Sequence, residues 1–354
     1  MICPSLHPSP QRGEGRVRGR RKPMFDSNNK PLARRGRDNR VIGRSGKPLL
    51  VIIEGQNIDA MIDAGLKAMG GLERVIGNHR KVLLKPNTNQ RDPFPSITAP
   101  ETLRAVATQC RKAGVEHIIV HEDHKRELDL YYTPKELPGV DIQISSSSDV
   151  SHYVLVEYDK WHGDMDRETA LQNMELRPPE SLLKTEFQKT VGPRLRVARQ
   201  LQDAPVIINM PVVKRHFAGQ MTSALKNHFG SVYGPHRWLA HASLQKDRDY
   251  YDRKLAEFAS AIRPELTIID IRSIQAVSGP FRGEDTKIIE GVNRLVISGD
   301  MIAADVIALD LVKKYDDTFT PANEAIVCRQ FEHAEALGIG SSDLSKFETI
   351  EMKL

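Results

Sequence analysis

Cysteine is scarce in this 354-residue chain. There are three, Cys3, Cys110 and Cys328, and no two stand in a Cys-x-x-Cys pair. That argues against a disulfide framework, a zinc ribbon and a cysteine-ligated iron–sulfur cluster, and a cytoplasmic home is expected. Long apolar runs are missing too. The longest are strand-sized, such as Pro205-Val206-Ile207-Ile208, against the roughly 20 residues that a membrane-spanning helix needs. No membrane partner is expected. The chain also has no Gly-x-Ser-x-Gly elbow, no P-loop and no Gly-x-Gly-x-x-Gly fingerprint. An ordinary serine hydrolase, kinase or dehydrogenase is therefore not indicated.

What charge there is lies unevenly. Residues 1–47 hold 13 of the 51 Lys and Arg but only three of the 46 acids, Glu14, Asp26 and Asp38. The remainder carries 38 bases against 43 acids, so the net charge of +5 belongs to a tail and the body is mildly acidic. A nucleic-acid-binding body is not supported, and nucleic acid is a partner only through that basic arm. Rich in Arg, Gly, Pro, Ser and Asn, the tail cannot bury enough apolar surface to offset its ordering entropy, and disorder is expected over 1–47. Arg34-Arg35 is not followed by the apolar segment a twin-arginine signal requires. Translation is expected to begin at Met24.

From residue 48 short β-branched runs alternate with amphipathic stretches of helical length. Strands are expected at 49–53, 81–84, 116–120, 140–144, 206–213, 266–271 and 294–298. Helices are expected at 57–75, 100–113, 221–229, 247–262, 302–315 and 321–337. This order predicts an α/β fold, a mainly parallel sheet with helices on both faces, arranged as one body or as two α/β lobes. Residues 146–195, polar and then charged, read as an insertion or lid. A last strand within 346–354 closes an edge.

In open α/β sheets ligands bind beyond the carboxyl ends of strands. There the sequence places Lys85 and Asn87, His121 with His124, Lys214 and His216, Asp270, and Asp300 with Asp305 nearby. The segment from Pro211 to Gly230 is the richest. An apolar strand runs into Lys214-Arg215-His216, then Gly219, then an expected helix capped at Thr222 that presents Lys226 one turn on. A helix start beside cations suits a carboxylate or phosphate, and buried cations imply an anionic partner. A small anionic ligand is therefore expected. Lys214 and Lys226 would neutralise it, Lys85, Asn87, Thr222 and Asn227 would hold it, and His216 with Lys226 would carry out proton transfer. His121, His236, His241, Asp270, Asp300 and Asp305 are candidate ligands for a divalent metal, although their spacings match no zinc signature.

Several motifs together carry a resemblance: Lys85-Pro86-Asn87, the run from Ala99 to Ala105, Val206 to His216, Ala224 to Gly230, Arg263 to Asp270, Gly279-Pro280-x-x-Gly283, and Ser298-Gly299-Asp300 with Ala303-Ala304-Asp305. This ordered set resembles the family of domains of unknown function numbered 362, over roughly 48–345. Some of its members carry ferredoxin-like cysteine motifs. This chain lacks them, and no iron–sulfur cluster is expected. A fainter likeness is to the nickel-pincer lactate racemase family. There a strand leads to His, Phe and Gly, and a lysine ten residues after the His holds the cofactor. Here His216-Phe217-Ala218-Gly219 leads to Lys226, His236 or His241 stands for a later catalytic histidine, and His121 or His124 for an earlier one. Lys85-Pro86-Asn87 departs from that family's strand-end motif, and the Gly-Gly pair before the lysine is missing. An enzyme of proton transfer or isomerisation is the leading expectation. A non-catalytic anion or nucleotide carrier, an accessory subunit of a metalloenzyme and a redox protein are the alternatives.

Overall fold

Alternation along the strands decides the layers. In β1 (Leu49–Glu54), Val51 and Ile53 join one apolar core and Leu50 the other. Val82 and Leu84 against Leu83 in β2 (Lys81–Lys85), and Ile118 and Val120 against Ile119 in β3 (His117–Glu122), repeat the split. Successive side chains of a strand face opposite ways, so strands apolar at every position demand cover on both faces. One face is covered by helices Ile58–Ala68 and Pro100–Lys112, the other by Arg248–Ile262, Met301–Tyr315 and Pro321–Ala336.

The computed structural model describes residues 39–354 except 124–127, 130, 134, 147 and 174–190. The tail expectation over 1–38, His124 and the centre of the expected lid lie outside the described residues. Part of the expected tail, residues 39–47, is described and packs on the body. Val41 is buried and its carbonyl accepts from Leu49 N–H at 2.8 Å, while Arg40 Nη1 donates to Val75 O at 2.7 Å.

Eight strands make the main sheet, which also contains β4 (Val140–Ile144), β7 (Ile207–Asn209), β10 (Leu266–Ile271), β13 (Arg294–Ser298) and β14 (Glu348–Lys353). Between β3 and β7 come β5 (Tyr153–Glu157) and β6 (Arg194–Ala198), an antiparallel pair of their own. The order is β14-β1-β13-β10-β7-β2-β3-β4. Only β13 runs against the others, so the sheet is mainly parallel. A second sheet, in the order β12-β11-β8-β9, comprises β8 (Lys214–His216), β9 (Gln220–Thr222), β11 (Ile274–Ala276) and β12 (Lys287–Ile289).

Three expected elements are corrected. The single strand 206–213 is two: the chain leaves the main sheet at Asn209 and re-pairs in the second sheet at Lys214, with Pro211, which has no N–H for a ladder, in the gap. β10 passes into β11 in the same way, so two neighbouring strands step together from one sheet to the other. The helix expected at 221–229 does not form. Thr222 lies in β9 opposite Lys214, the Asp305 carboxylate takes the N–H groups of Ala224 and Leu225 (2.6 and 2.9 Å), and only a 3₁₀ turn, Lys226–Ser231, follows. The helix expected at 57–75 is broken at Gly70 and Gly71, both at positive φ, with Glu73–Ile76 as a separate turn.

Asp300 follows β13, the antiparallel strand inside the sheet, and so stands at the amino ends of its parallel neighbours. Its Oδ1 accepts from Ile302 and Ala303 N–H (2.9 and 3.0 Å) at the start of the Met301–Tyr315 helix, and its Oδ2 accepts from Ser341 N–H at 3.1 Å. Gly340 lies so close that a Cβ there would stand 2.2 Å from Oδ1. Asp300→Ala removes a helix cap and orphans a third N–H. A loss of about 1–3 kcal/mol is expected in chemical denaturation, with an unchanged denaturant slope. An unchanged midpoint would contradict the capping role.

Candidate active site

Beyond the carboxyl ends of β2, β3 and β7, where the main sheet hands over to the second, polar side chains are buried in two connected groups. The first is a chain of amides. Lys214 is fully buried, and its ammonium donates to Asn87 Oδ1 (3.1 Å), Asn89 Oδ1 (2.9 Å) and Ser96 O (2.6 Å). Asn87 Nδ2 donates to Asn227 Oδ1 (3.0 Å), Asn227 Nδ2 to Asn209 Oδ1 (2.8 Å) and Lys85 O (3.2 Å), and Asn209 Nδ2 to Ala224 O (3.2 Å). Each amide is oriented by the one before it, because Lys214 can only donate. Burial pushes Lys214 down to about 7, with three neutral oxygens and no carboxylate on it. Its three donors and both ends of Asn87 and Asn227 are spent within the protein. The expected anion-holding set of Lys214, Asn87 and Asn227 thus comes together as a tie between the two sheets. Thr222 lies beside it in β9, without the helix start the sequence suggested.

The second group is cationic and aromatic. At the end of β8, His216 Nδ1 accepts from Ala218 and Gly219 N–H (3.0 and 3.3 Å), so the neutral ring carries its hydrogen on Nε2. On helix Gly234–Ala242, His241 Nδ1 lies 2.8 Å from Arg237 O, a carbonyl that can only accept; the hydrogen is on Nδ1 and Nε2 holds the lone pair. The two ring centroids are 6.1 Å apart. Burial, and then Lys226, push His216 well down and His241 down to about 4, so both imidazoles are neutral at ordinary pH. Lys226 supplies the charge. Its ammonium lies 3.9 Å from the Phe229 ring centroid and 6.0 Å from that of Tyr251, with no carboxylate partner among the described residues. Burial, then Lys214 and Arg237, push it down to about 7.

The surroundings fix these groups. The stem of Lys226 crosses Gly219 so closely that a Cβ there would meet its Cδ at 2.6 Å. Gln330 Nε2 donates to Gly219 O (3.3 Å) and to the buried Asp252 (2.8 Å), which also binds Arg248 and Arg329. The helix bearing His241 is clamped at Arg237, paired with Asp123 at 2.5 Å, and at His236. Next to this clamp, Lys85 forms a buried ion pair with Glu122 and donates to Pro86 O at 2.9 Å. Burial raises Glu122 despite the lysine.

The candidate metal ligands do not converge, and among the described residues no group of three or more His, Cys, Asp or Glu could hold an ion. His236 uses both nitrogens, Nδ1 on Asp164 (2.7 Å) and Nε2 on Arg196 N–H (2.9 Å). Asp270 is held by Arg272 and by Thr102 (2.6 Å), Asp300 caps a helix, and Asp305 holds the chain before Lys226. His121 Nε2 donates to Ser145 Oγ at 2.9 Å, since that hydroxyl gives its own hydrogen to Gln200; burial and Lys85 push His121 to about 3. These donors do not fit a protein-held metal, and no step below runs through one. A cavity of about 250 Å³ lined by Asn39, Arg263, Glu265 and Asp300 lies at the opposite end of the strands, before β10 and after the antiparallel β13, and is lined by none of Lys85, Lys214, His216, Lys226 or His241.

Sequence reasoning missed Phe229, Tyr251 and Gln330, and the helix that aims His241. Pro235 in that helix's first turn was a readable start signal. Nothing in the sequence marks Gln330, which reaches Gly219 from 111 positions away.

Among known proteins, the chain is 26% identical over 250 residues to a thylakoid-associated protein of a Synechocystis strain, covering 70% of this chain and 68% of that one. Among solved structures, the lactate racemase apoprotein from Thermoanaerobacterium thermosaccharolyticum superposes with a TM-score of 0.41 at 11% identity, covering 81% of this chain and 62% of the racemase. The family model of DUF362, a domain of unknown function, matches residues 82–310, and this chain belongs to that family.

Proposed function

We propose that the chain is a small-molecule enzyme of the isomerase class, which binds a carboxylate or phosphate at Lys226 and moves a proton through His241. The observation that carries this reading is the pair of neutral imidazoles with opposite tautomers beside an ammonium that has no carboxylate partner among the described residues. His241 Nε2 is the base. It takes a proton from a carbon next to the substrate carboxylate, and the electron pair delocalises into that carboxylate. Lys226 and the His216 Nε2–H stabilise the charge so formed, and return of the proton to the opposite face of the planar carbon inverts it. An anion at Lys226 also cancels the repulsion that lowers His241 and raises its basicity when substrate is present. Among the described residues no helix is long and apolar enough to cross a membrane. A cytoplasmic location is part of the proposal.

Anion binding must follow the protonation of Lys226. Held near 7 in the free protein, the amine attracts an anion only below that pH. Sulfate affinity, measured calorimetrically, is expected to fall as pH rises past about 7, approaching tenfold per unit. Lys226→Met should abolish most binding and this dependence, and Gly219→Ala, which pushes the stem aside, should weaken binding several-fold. Sulfate binding that ignores pH between 6 and 9, or survives Lys226→Met, would contradict the site.

Catalysis is checked by proton magnetic resonance in D₂O with short 2-hydroxy and 2-amino acids. Exchange of the hydrogen next to the carboxylate is expected in at least one, and His241→Gln should slow it by about 10²-fold or more. Binding of these acids without exchange in any would replace the enzyme by a carrier.

A further inference from the structure

The four large apolar side chains exposed among the described residues include two phenylalanines, Phe217 at 65% and Phe281 at 62%. Single exposed apolar residues need no explanation. These two sit on adjoining loops that are held in place. Phe217 N–H donates to Gly279 O at 3.1 Å. Arg282 ties the other loop to Ser96 Oγ (2.7 Å) and to the carbonyls of Pro93 (2.7 Å) and Phe94 (3.2 Å).

Phe217 is also continuous with the site. Its ring is stacked on His216, centroids 4.9 Å apart at 26°, and lies 6.2 Å from His241. His241 in turn meets Phe229 and Tyr251 edge-on at 5.2 and 5.4 Å. A single aromatic wall therefore runs from the buried ammonium of Lys226 out to a ring whose outer surface is bare. A guest filling only the cationic end would leave Phe217 in water, and a guest with an apolar ring would cover it. Stacked aromatic pairs contribute beyond the area they bury.

We infer that the ligand of this site is an anion carrying a planar, apolar ring, with Phe217 as the residue that selects it. The anion lies against Lys226 and the ring stacks on the outer surface of Phe217. This inference rests on the anion site proposed above and names its substrate class.

Competition with a fluorescent anion, or calorimetry, on the full chain tests it with acetate, phenylacetate and cyclohexylacetate. The native protein is expected to bind phenylacetate roughly tenfold more tightly than acetate, and more tightly than cyclohexylacetate, which has the bulk but no π face. Phe217→Ala should erase that preference and leave acetate affinity within about twofold, while Phe217→Tyr keeps it. Lys226→Met should weaken acetate and phenylacetate alike, which reports on the anion site alone. Equal affinity for acetate and phenylacetate in the native protein, a preference that survives Phe217→Ala, or cyclohexylacetate bound as well as phenylacetate would overturn the inference. If acetate fails to bind at all, the anion site itself falls, and this inference with it.

Discussion

The arrangement beyond the strand ends depends on an ammonium group buried without a carboxylate partner among the described residues. Taking a charge out of water costs several kcal/mol unless something offsets it, and the aromatic rings beside Lys226 return only about 1–2 kcal/mol. The protein therefore holds Lys226 near the edge of losing its proton, and in the proposed function an anion entering the site would supply what the fold withholds. Lys214, equally buried, marks the contrast. It too lies near 7, but three oxygens occupy its three donors, and it serves as a structural tie. Both lysines are buried and both are pushed down to about 7. Only the hydrogen bonds separate a scaffold lysine from one free to meet a ligand.

The same accounting sorts the histidines. His236, with a bond at each nitrogen, has nothing left to give. His216 and His241 each spend Nδ1 on backbone, one as acceptor and one as donor, and so present opposite faces of the imidazole at Nε2. A base pressed down by burial and by a neighbouring cation is always neutral, hence always available, and gains strength when the cation is neutralised by substrate.

Local pattern carried the main sheet. Strands such as 266–271 and 294–298 were legible because short runs rich in β-branched residues, Thr267, Ile268, Ile269 and Ile271 in one and Val296 and Ile297 in the other, suit strands covered on both faces. The helix 321–337 was legible because Thr320 and Pro321 announce its start. The site was legible only as a set of residue types near strand ends. Lys226 and His216 do come together, but in a 3₁₀ turn and a short strand, because Asp305, some 80 positions away, claims two N–H groups that a helix would have needed. The tautomer of His241 depends on a carbonyl one helical turn back, and on a helix that was not anticipated. Long-range hydrogen bonds of this kind leave no periodic trace in a sequence. For the same reason the candidate metal ligands could not be sorted from sequence, since carboxylates that cap chains look identical to ligands until their partners are known; among the described residues they do not come together.

The account turns on the state of one amine, which carbon-13 resonance titration of the lysine side chains can read directly, with Lys226→Met supplying the assignment. The titration of Lys226 should fall near pH 7 in the free protein and move upward when sulfate is added. A midpoint near the ordinary lysine value of about 10.4, unmoved by sulfate, would contradict it.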